Sequence, residues 1–161
     1  MKDLEGLFKH FLRDMYYAEN KVLDTLPKMA ERADEEKLRD AFKEHHKETK
    51  DQISNLEKVF KALDLSPRGV TCEAINGILA EGKEIMKECD DPDACDAGMI
   101  AAAQAVEHYE ITRYGTMVAW AKQLGMPSEA ALLQKNLDQE YAADKKLSAL
   151  AERSLNRQAV S

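Results

Sequence analysis

Two carboxylates interrupt the most apolar helix this chain can form. Between Ala97 and Leu124 the sequence reads AGMIAAAQAVEHYEITRYGTMVAWAKQL, without a charge from Ala97 to Val106. Steps of three and four select Ile100, Ala103, Glu107, Glu110, Tyr114, Met117, Ala121 and Leu124, the seam of a helix packed in a bundle. A carboxylate in such a seam must be protonated, paired or bound to a cation, because burying a bare charge is strongly unfavourable. The rest of the chain is therefore constrained twice. It must supply helices to cover this one, and polar groups at the depth of Glu107 and Glu110.

Helices are what the remaining sequence offers. A first runs from about Asp3 to Arg32, with the stripe Leu4, Phe8, Phe11, Met15, Glu19, Val22, Leu26, Met29 and Ala33. Pro27 removes one backbone hydrogen bond, and the stripe continues past it, so a kink is expected rather than an end. A second runs from about Glu35 to Leu63, with Asp34 as the expected N-cap. Leu38, Ala41, Phe42, Ile53, Leu56, Val59, Phe60 and Leu63 share one face, with His45, Thr49 and Gln52 near its centre and Glu48 on its edge. LeuSerProArgGly at Leu65–Gly69 is a turn, and a shorter helix follows from about Cys72 to Glu88. Pro92 suits the first turn of the third long helix, which ends at Gly125. The fourth reaches about Asn156 with the stripe Ala130, Leu133, Leu137, Glu140, Asp144, Leu147, Ala151 and Leu155.

The links after helices one and three are short, so each pair packs antiparallel, and the long connection joins the two hairpins. The expected fold is an all-α, antiparallel four-helix bundle with a short extra crossover helix, a single domain over residues 1–161. No segment alternates with period two, so no sheet is expected.

Every long helix carries acids near its midpoint. Glu19, His45 with Glu48, Glu107 with Glu110, and Glu140 with Asp144 fall at one level when helices of similar length pack antiparallel. Such a layer fits two divalent cations, and oxygen ligands with imidazole suit Fe, Mn or Zn. Each position alone has a plainer reading. Glu19 can reach toward solvent, Glu107 and Glu110 can bond to Tyr114 or Arg113, and Glu140 with Asp144 can form a wet patch. His45 reads equally as a ligand or as a satisfied core residue. Gln52 reads as a hydrogen-bond partner, and His46 and His108 as surface residues. Tyr16, Tyr109, Tyr114 and Tyr141 lie within a turn of the acids, as core filling or as groups that orient carboxylates.

Composition excludes several classes. The net charge of −7 and the absence of an uninterrupted Lys/Arg cluster argue against a nucleic-acid partner. The amino-terminal segment lacks the apolar core of a signal peptide, and no run is long enough to span a membrane, so the expected compartment is the cytosol. There Cys72, Cys89 and Cys95 are expected as reduced thiols; Cys89 and Cys95 flank a turn and could meet, which sequence alone does not show.

The segments HisHisLysGluThr at His45–Thr49, CysGluAlaIle at Cys72, AAAQAVEHYEITRYGT at Ala101–Thr116 and LDQEYAADKKL at Leu137–Leu147 resemble the YciF-type stress proteins of the ferritin-like superfamily. The resemblance runs from Leu4 to about Leu150. It implies a ferritin-like bundle, a homodimer, a role in bacterial stress response, and a dinuclear centre like that of rubrerythrin. Glu19, Glu48, Glu107, Glu110 and Glu140 match the five-carboxylate pattern of such centres. Asp51 stands where that pattern has a His on helix two, and Asp144 stands near its second His. Fewer imidazoles make a harder, more anionic site, to which Mn is suited as well as Fe. Two functional readings follow. In the first, two Fe or Mn ions meet O2 or peroxide, and any enzyme would be an oxidoreductase of the di-iron or di-manganese carboxylate type. In the alternative, the chain is a non-catalytic helical dimer or interaction protein with a vestigial metal site.

Overall fold

Helix signals in the sequence become five helices in the computed structural model, which describes residues 1–160. They are α1 (Leu4–Arg32), α2 (Glu36–Ala62), α3 (Glu73–Glu88), α4 (Pro92–Gln123) and α5 (Pro127–Leu150). Among the described residues there is no strand. Asp3 caps α1, its Oδ1 accepting the Gly6 N–H at 2.8 Å. The helix runs through Pro27 to Arg32 without ending there.

The start of α2 differs from expectation. The cap is Glu35 rather than Asp34, because the Asp34 and Glu35 N–H groups are turned toward another helix. Asp96 of α4 accepts both, at 3.0 and 2.7 Å, and is itself buried. Arg39 closes the same corner by donating to the carbonyls of Ala33 and Asp34, each at 3.0 Å. The α1–α2 link is thus tied to α4 by charge-assisted bonds, which exceed neutral ones in strength.

Pro92 opens α4 behind Asp91, whose Oδ1 accepts the Ala94 N–H at 2.8 Å. Gly125, at φ 71°, closes it in the left-handed region where glycine carries no steric penalty. The last segment also departs from expectation. After Leu150 the chain widens into a π-helical turn, Ala151–Leu155, followed by Asn156–Gln158, in place of one unbroken helix.

The four long helices form a ring in the order α1, α2, α5, α4, every neighbouring pair antiparallel, with α3 laid across α4 and α1. Side-chain pairs fix the register. Tyr16 bonds to Glu57, Gln52 to Glu140, and Gln104 to Ser148, so numbers rise along one helix as they fall along its neighbour. The close seat of α3 requires Gly98, where an added Cβ would lie 2.6 Å from the Ile85 side chain.

Buried side chains fill both ends of the bundle. Phe8, Leu12, Met15, Leu56, Phe60, Met117 and Leu133 pack one end, and Leu26, Met29, Leu38, Phe42, Met99, Ile100 and Leu147 the other. Each such side chain contributes about 1.5–3 kcal/mol by leaving water. Between these two oily layers lies the polar one.

One expectation about chemistry is corrected here. Cys89 and Cys95 are joined as a disulfide rather than held as free thiols. The end of α3 and the first turn of α4 bring their Cα atoms to 5.4 Å, within the span a bridge needs. Cys72 is free and buried.

Candidate metal centre

The polar layer lies halfway along the bundle, where the four long helices each present a side chain inward. Helical spacing delivers them: Glu19 from α1, His45 with Thr49 and Gln52 from α2, Glu107 with Glu110 from α4, and Glu140 with Asn136 from α5. All eight are buried, and Glu19, Glu110 and Glu140 have no solvent-accessible surface.

His45, Glu107, Glu110 and Glu140 converge. Each offers a ligand atom, and these atoms all lie within 4.8 Å of one another. His45 is held by its other nitrogen, Nδ1, which lies 3.4 Å from Glu48 Oε2. That leaves Nε2 aimed inward, 3.2 Å from Glu107 Oε1 and 3.8 Å from Glu140 Oε2. A carboxylate on one imidazole nitrogen that leaves the other free is how metal-binding histidines are oriented. The Thr49 hydroxyl donates to the His45 carbonyl at 2.9 Å and steadies the same turn.

The inner atoms of this group are poorly satisfied. Glu19 Oε2, His45 Nε2, Glu107 Oε2, both oxygens of Glu110 and Glu140 Oε2 are buried without a hydrogen-bond partner. A buried polar atom without a partner costs about 1–3 kcal/mol. Several of them facing a common point form a donor set that fits divalent cations, which replace many costs with one set of bonds. With one imidazole and three carboxylates at its centre, the set offers nitrogen and oxygen ligands of the kind divalent cations take.

Protons show the same strain from the other side. Burial lifts Glu19 from an ordinary 4.5 to about 7, against the opposing pull of the Tyr114 hydrogen bond and the charge of His45. Burial raises Glu107, Glu110 and Glu140 well above the usual carboxylate range. Neighbouring carboxylates add to this for Glu110 and Glu140. For His45, burial opposes the charged form, but Glu48, Glu140 and Glu19 together outweigh it and raise the imidazole. Without a cation the layer favours protons.

A second ring of groups holds the first. Gln52 Nε2 donates to Glu140 Oε1 at 2.5 Å. The Tyr114 hydroxyl donates to Glu19 Oε1. Asn136 donates to that hydroxyl at 3.1 Å and to the Gln52 carbonyl at 3.2 Å, and accepts from Asn55 at 2.9 Å.

Of the seven candidate residues, four form the convergent group. Glu19 faces it from α1 with one oxygen given to Tyr114. Glu48 stands behind His45, its side chain 30% exposed. Asp144 is turned outward to a surface network, accepting from Gln104 at 2.9 Å and facing His108 at 3.3 Å. His108 is exposed, as its position off the stripe implies. Tyr114 serves Glu19 rather than its own-helix neighbours Glu107 and Glu110. Asn136 is a site residue the stripes passed over. It stands one turn before Glu140 on α5, and that spacing was its only trace in the sequence.

A cavity of about 140 Å³ leads to this group between α2 and α5. Leu26, Ala41, Phe42, Ala103, Ala142, Ala143 and Leu147 line it together with Glu48 and the buried His45 and Glu107. The exposed ion pair of Lys146 with Glu44 stands at its solvent side.

Known proteins share this architecture. A domain family of unknown function, DUF892, matches residues 3–160. Protein YciF of Escherichia coli strain K12 is 39% identical over 160 residues, covering 99% of this chain and 96% of that protein. The crystal structure of that stress protein superposes with a TM-score of 0.92, at 39% identity, over 97% of this chain and 99% of that one. YcfI of Rhodopseudomonas palustris, a candidate structural protein, gives a TM-score of 0.90 at 46% identity, over 91% of this chain and 94% of that one. Sequence identity at this level over nearly the whole length, with the bundle and its crossover helix retained, places the chain in the DUF892 family alongside the stress protein YciF.

Proposed function

We propose that this protein holds two divalent cations, Fe or Mn, in its carboxylate layer and acts in a bacterial stress response by exposing them to O2 or a peroxide. The observation that carries this reading is the set of buried, unpartnered atoms of His45, Glu107, Glu110 and Glu140 aimed at one another. Glu107, Glu110 and Glu140 would hold the cations with His45, and Glu19 would complete the set from α1. Bound iron or manganese supplies redox chemistry toward the oxidant. The chain itself supplies position and access. Glu48 fixes the His45 ring, Gln52 fixes one oxygen of Glu140, and Tyr114 fixes one oxygen of Glu19. The alanine-lined cavity has room for O2 or hydrogen peroxide beside His45 and Glu107. In this reading the protein is a ferritin-like homodimer of the cytoplasm.

The test is metal content. Protein loaded anaerobically with Fe(II) or Mn(II) and desalted is measured by mass spectrometry beside Glu107→Ala. About two ions per chain, lost in the variant, is the expected result. Equal metal in both proteins sinks the assignment.

A second reading rests on the raised carboxylates, since a layer that holds protons needs no cation to stay folded. The chain would then be a non-catalytic helical dimer or interaction protein with a vestigial site, a role in keeping with a structural relative. Its signature is a melting temperature that does not respond to metal, because a ligand that binds only the folded state must raise it.

A further inference from the structure

A second chemistry-bearing cluster lies where α3 turns into α4. Cys89 is the C-cap of α3 and Cys95 lies in the first turn of α4, with the two sulfurs joined. The bond closes a loop of sequence separation 6. A cross-link over so short a loop removes less chain entropy than a long one, about 2 kcal/mol. The turn is already set by Asp91 capping α4.

What the bridge does have is a cation. Arg32, the last residue of α1, places Nη2 2.9 Å from Cys95 Sγ, 3.7 Å from Cys89 Sγ and 3.3 Å from the Cys89 carbonyl. A neutral disulfide gains little from a guanidinium, whereas a thiolate gains much. Cys95 also sits near the amino-terminal end of α4, where the helix dipole favours negative charge, with its own N–H bonded to the Asp91 carbonyl and the Ala94 N–H to the Asp91 side chain. Of the acids of that turn, Asp91 accepts the Ala94 N–H, Asp96 accepts the Asp34 and Glu35 N–H groups, and Asp93 adds a further carboxylate, which leaves Arg32 as the cation beside the sulfurs. The two sulfurs also differ in access. Cys95 is fully buried, and Cys89 is half-buried.

We propose that Cys89–Cys95 is a thiol–disulfide exchange site for a dithiol reductant, with Cys89 the attacked sulfur, Cys95 the leaving thiolate and Arg32 its stabilising cation. In the first step a thiolate of the reductant bonds to Cys89 Sγ. The Cys89–Cys95 bond breaks, and its electron pair leaves on Cys95 beside the guanidinium. In the second step the reductant's other thiol gives its proton to water and attacks its partner sulfur, closing the reductant's own disulfide. Cys89 leaves as a thiolate and takes a proton from water. The protein gains two electrons, and the dithiol loses two. Because exchange is faster and reduction more favourable when the departing thiolate is stabilised, both the rate and the equilibrium depend on Arg32. This site stands apart from the carboxylate layer, and its chemistry does not depend on metal.

The test uses the full chain and dithiothreitol. Opening of the bridge is followed by quenching with iodoacetamide and weighing the protein. Arg32→Met, which keeps the aliphatic stem and removes the charge, is expected to slow opening about tenfold. It should also require a more reducing dithiothreitol ratio for half-reduction. Arg32→Lys should recover most of the lost rate, which a purely structural role for the residue would not require. Far-UV circular dichroism of each variant shows whether the helices are intact. A second measurement treats the wild-type protein with reduced glutathione, quenches with acid and maps the mixed disulfide, expected on Cys89. Three results overturn the proposal: Arg32→Met matching wild type in rate and equilibrium, glutathione appearing on Cys95, or a bridge that dithiothreitol does not open.

Discussion

Replacing Glu110 with leucine should make the metal-free protein more stable while abolishing its response to metal. Glu110 has no accessible surface, and neither of its oxygens has a hydrogen-bond partner. One buried group left without a partner costs about 1–3 kcal/mol, and protonation does not supply the missing partners. Leucine is close in size and equal in helix propensity, so the α4 backbone loses nothing by the exchange. Against the gain stands repacking strain, below about 1.5 kcal/mol for a swap that conserves volume. The net expectation is a stabilisation of about 1 kcal/mol. For a chain of this size that is an increase in Tm of about 2–4 °C.

The assay is thermal unfolding followed by circular dichroism, on chelator-treated wild type and Glu110→Leu, each with and without Mn(II). Wild type should gain about 2.7 kcal/mol at a hundredfold excess of metal over its Kd. Glu110→Leu should gain nothing. The two signs together separate a functional carboxylate from a structural one. A carboxylate kept for stability would lower the Tm of the metal-free protein when removed. That outcome would show that Glu110 has partners in solution and would refute the reasoning from orphaned atoms.

Other expectations follow from the same geometry. Glu19 rises with folding from 4.5 to about 7, so the metal-free folded state holds a proton that the unfolded chain releases. That contribution, about 3 kcal/mol, is present below pH 4.5 and is lost as pH rises through 7. Glu107, Glu110 and Glu140 shift the same way, so the Tm of the metal-free protein should fall between pH 5.5 and pH 8, and a flat or rising profile contradicts it. Tyr114→Phe removes the hydroxyl that Glu19 and Asn136 share and should lose about 1–3 kcal/mol in urea unfolding of the metal-free protein. Asp96→Ala strips the Asp34 and Glu35 N–H groups of their acceptor and should cost a similar amount, while metal stoichiometry stays at the wild-type value. Ala143→Phe fills the cavity beside His45 and should slow metal loading in stopped-flow measurements without changing the final stoichiometry.

The helices and the depth of the acids were legible because both are matters of spacing along one helix. Periodicity of three and four places Phe8, Met15, Glu19 and Val22 on one side of α1, and all four are buried. The same rule places Glu107 and Glu110 inside α4. Spacing cannot reveal which atom a side chain meets across the bundle. Asp144 follows Glu140 by one turn, yet Gln104 and His108 of α4 hold it at the surface, where water solvates its charge. Asp96 stands before the apolar stripe of α4, just ahead of the uncharged run that begins at Ala97. Its burial became evident only when α4 folded back against the α1–α2 corner, where two free N–H groups needed an acceptor. Asp34 lost the capping role by the same event, since its N–H points to Asp96. The disulfide belongs with these, because Cys89 and Cys95 meet only if α3 and α4 dock at the distance Gly98 allows. Helical periodicity is a property of one strand of chain read alone. The partners of buried polar groups come from helices distant in sequence, and in this bundle those cross-helix pairs decide which acids converge in the core and which face water.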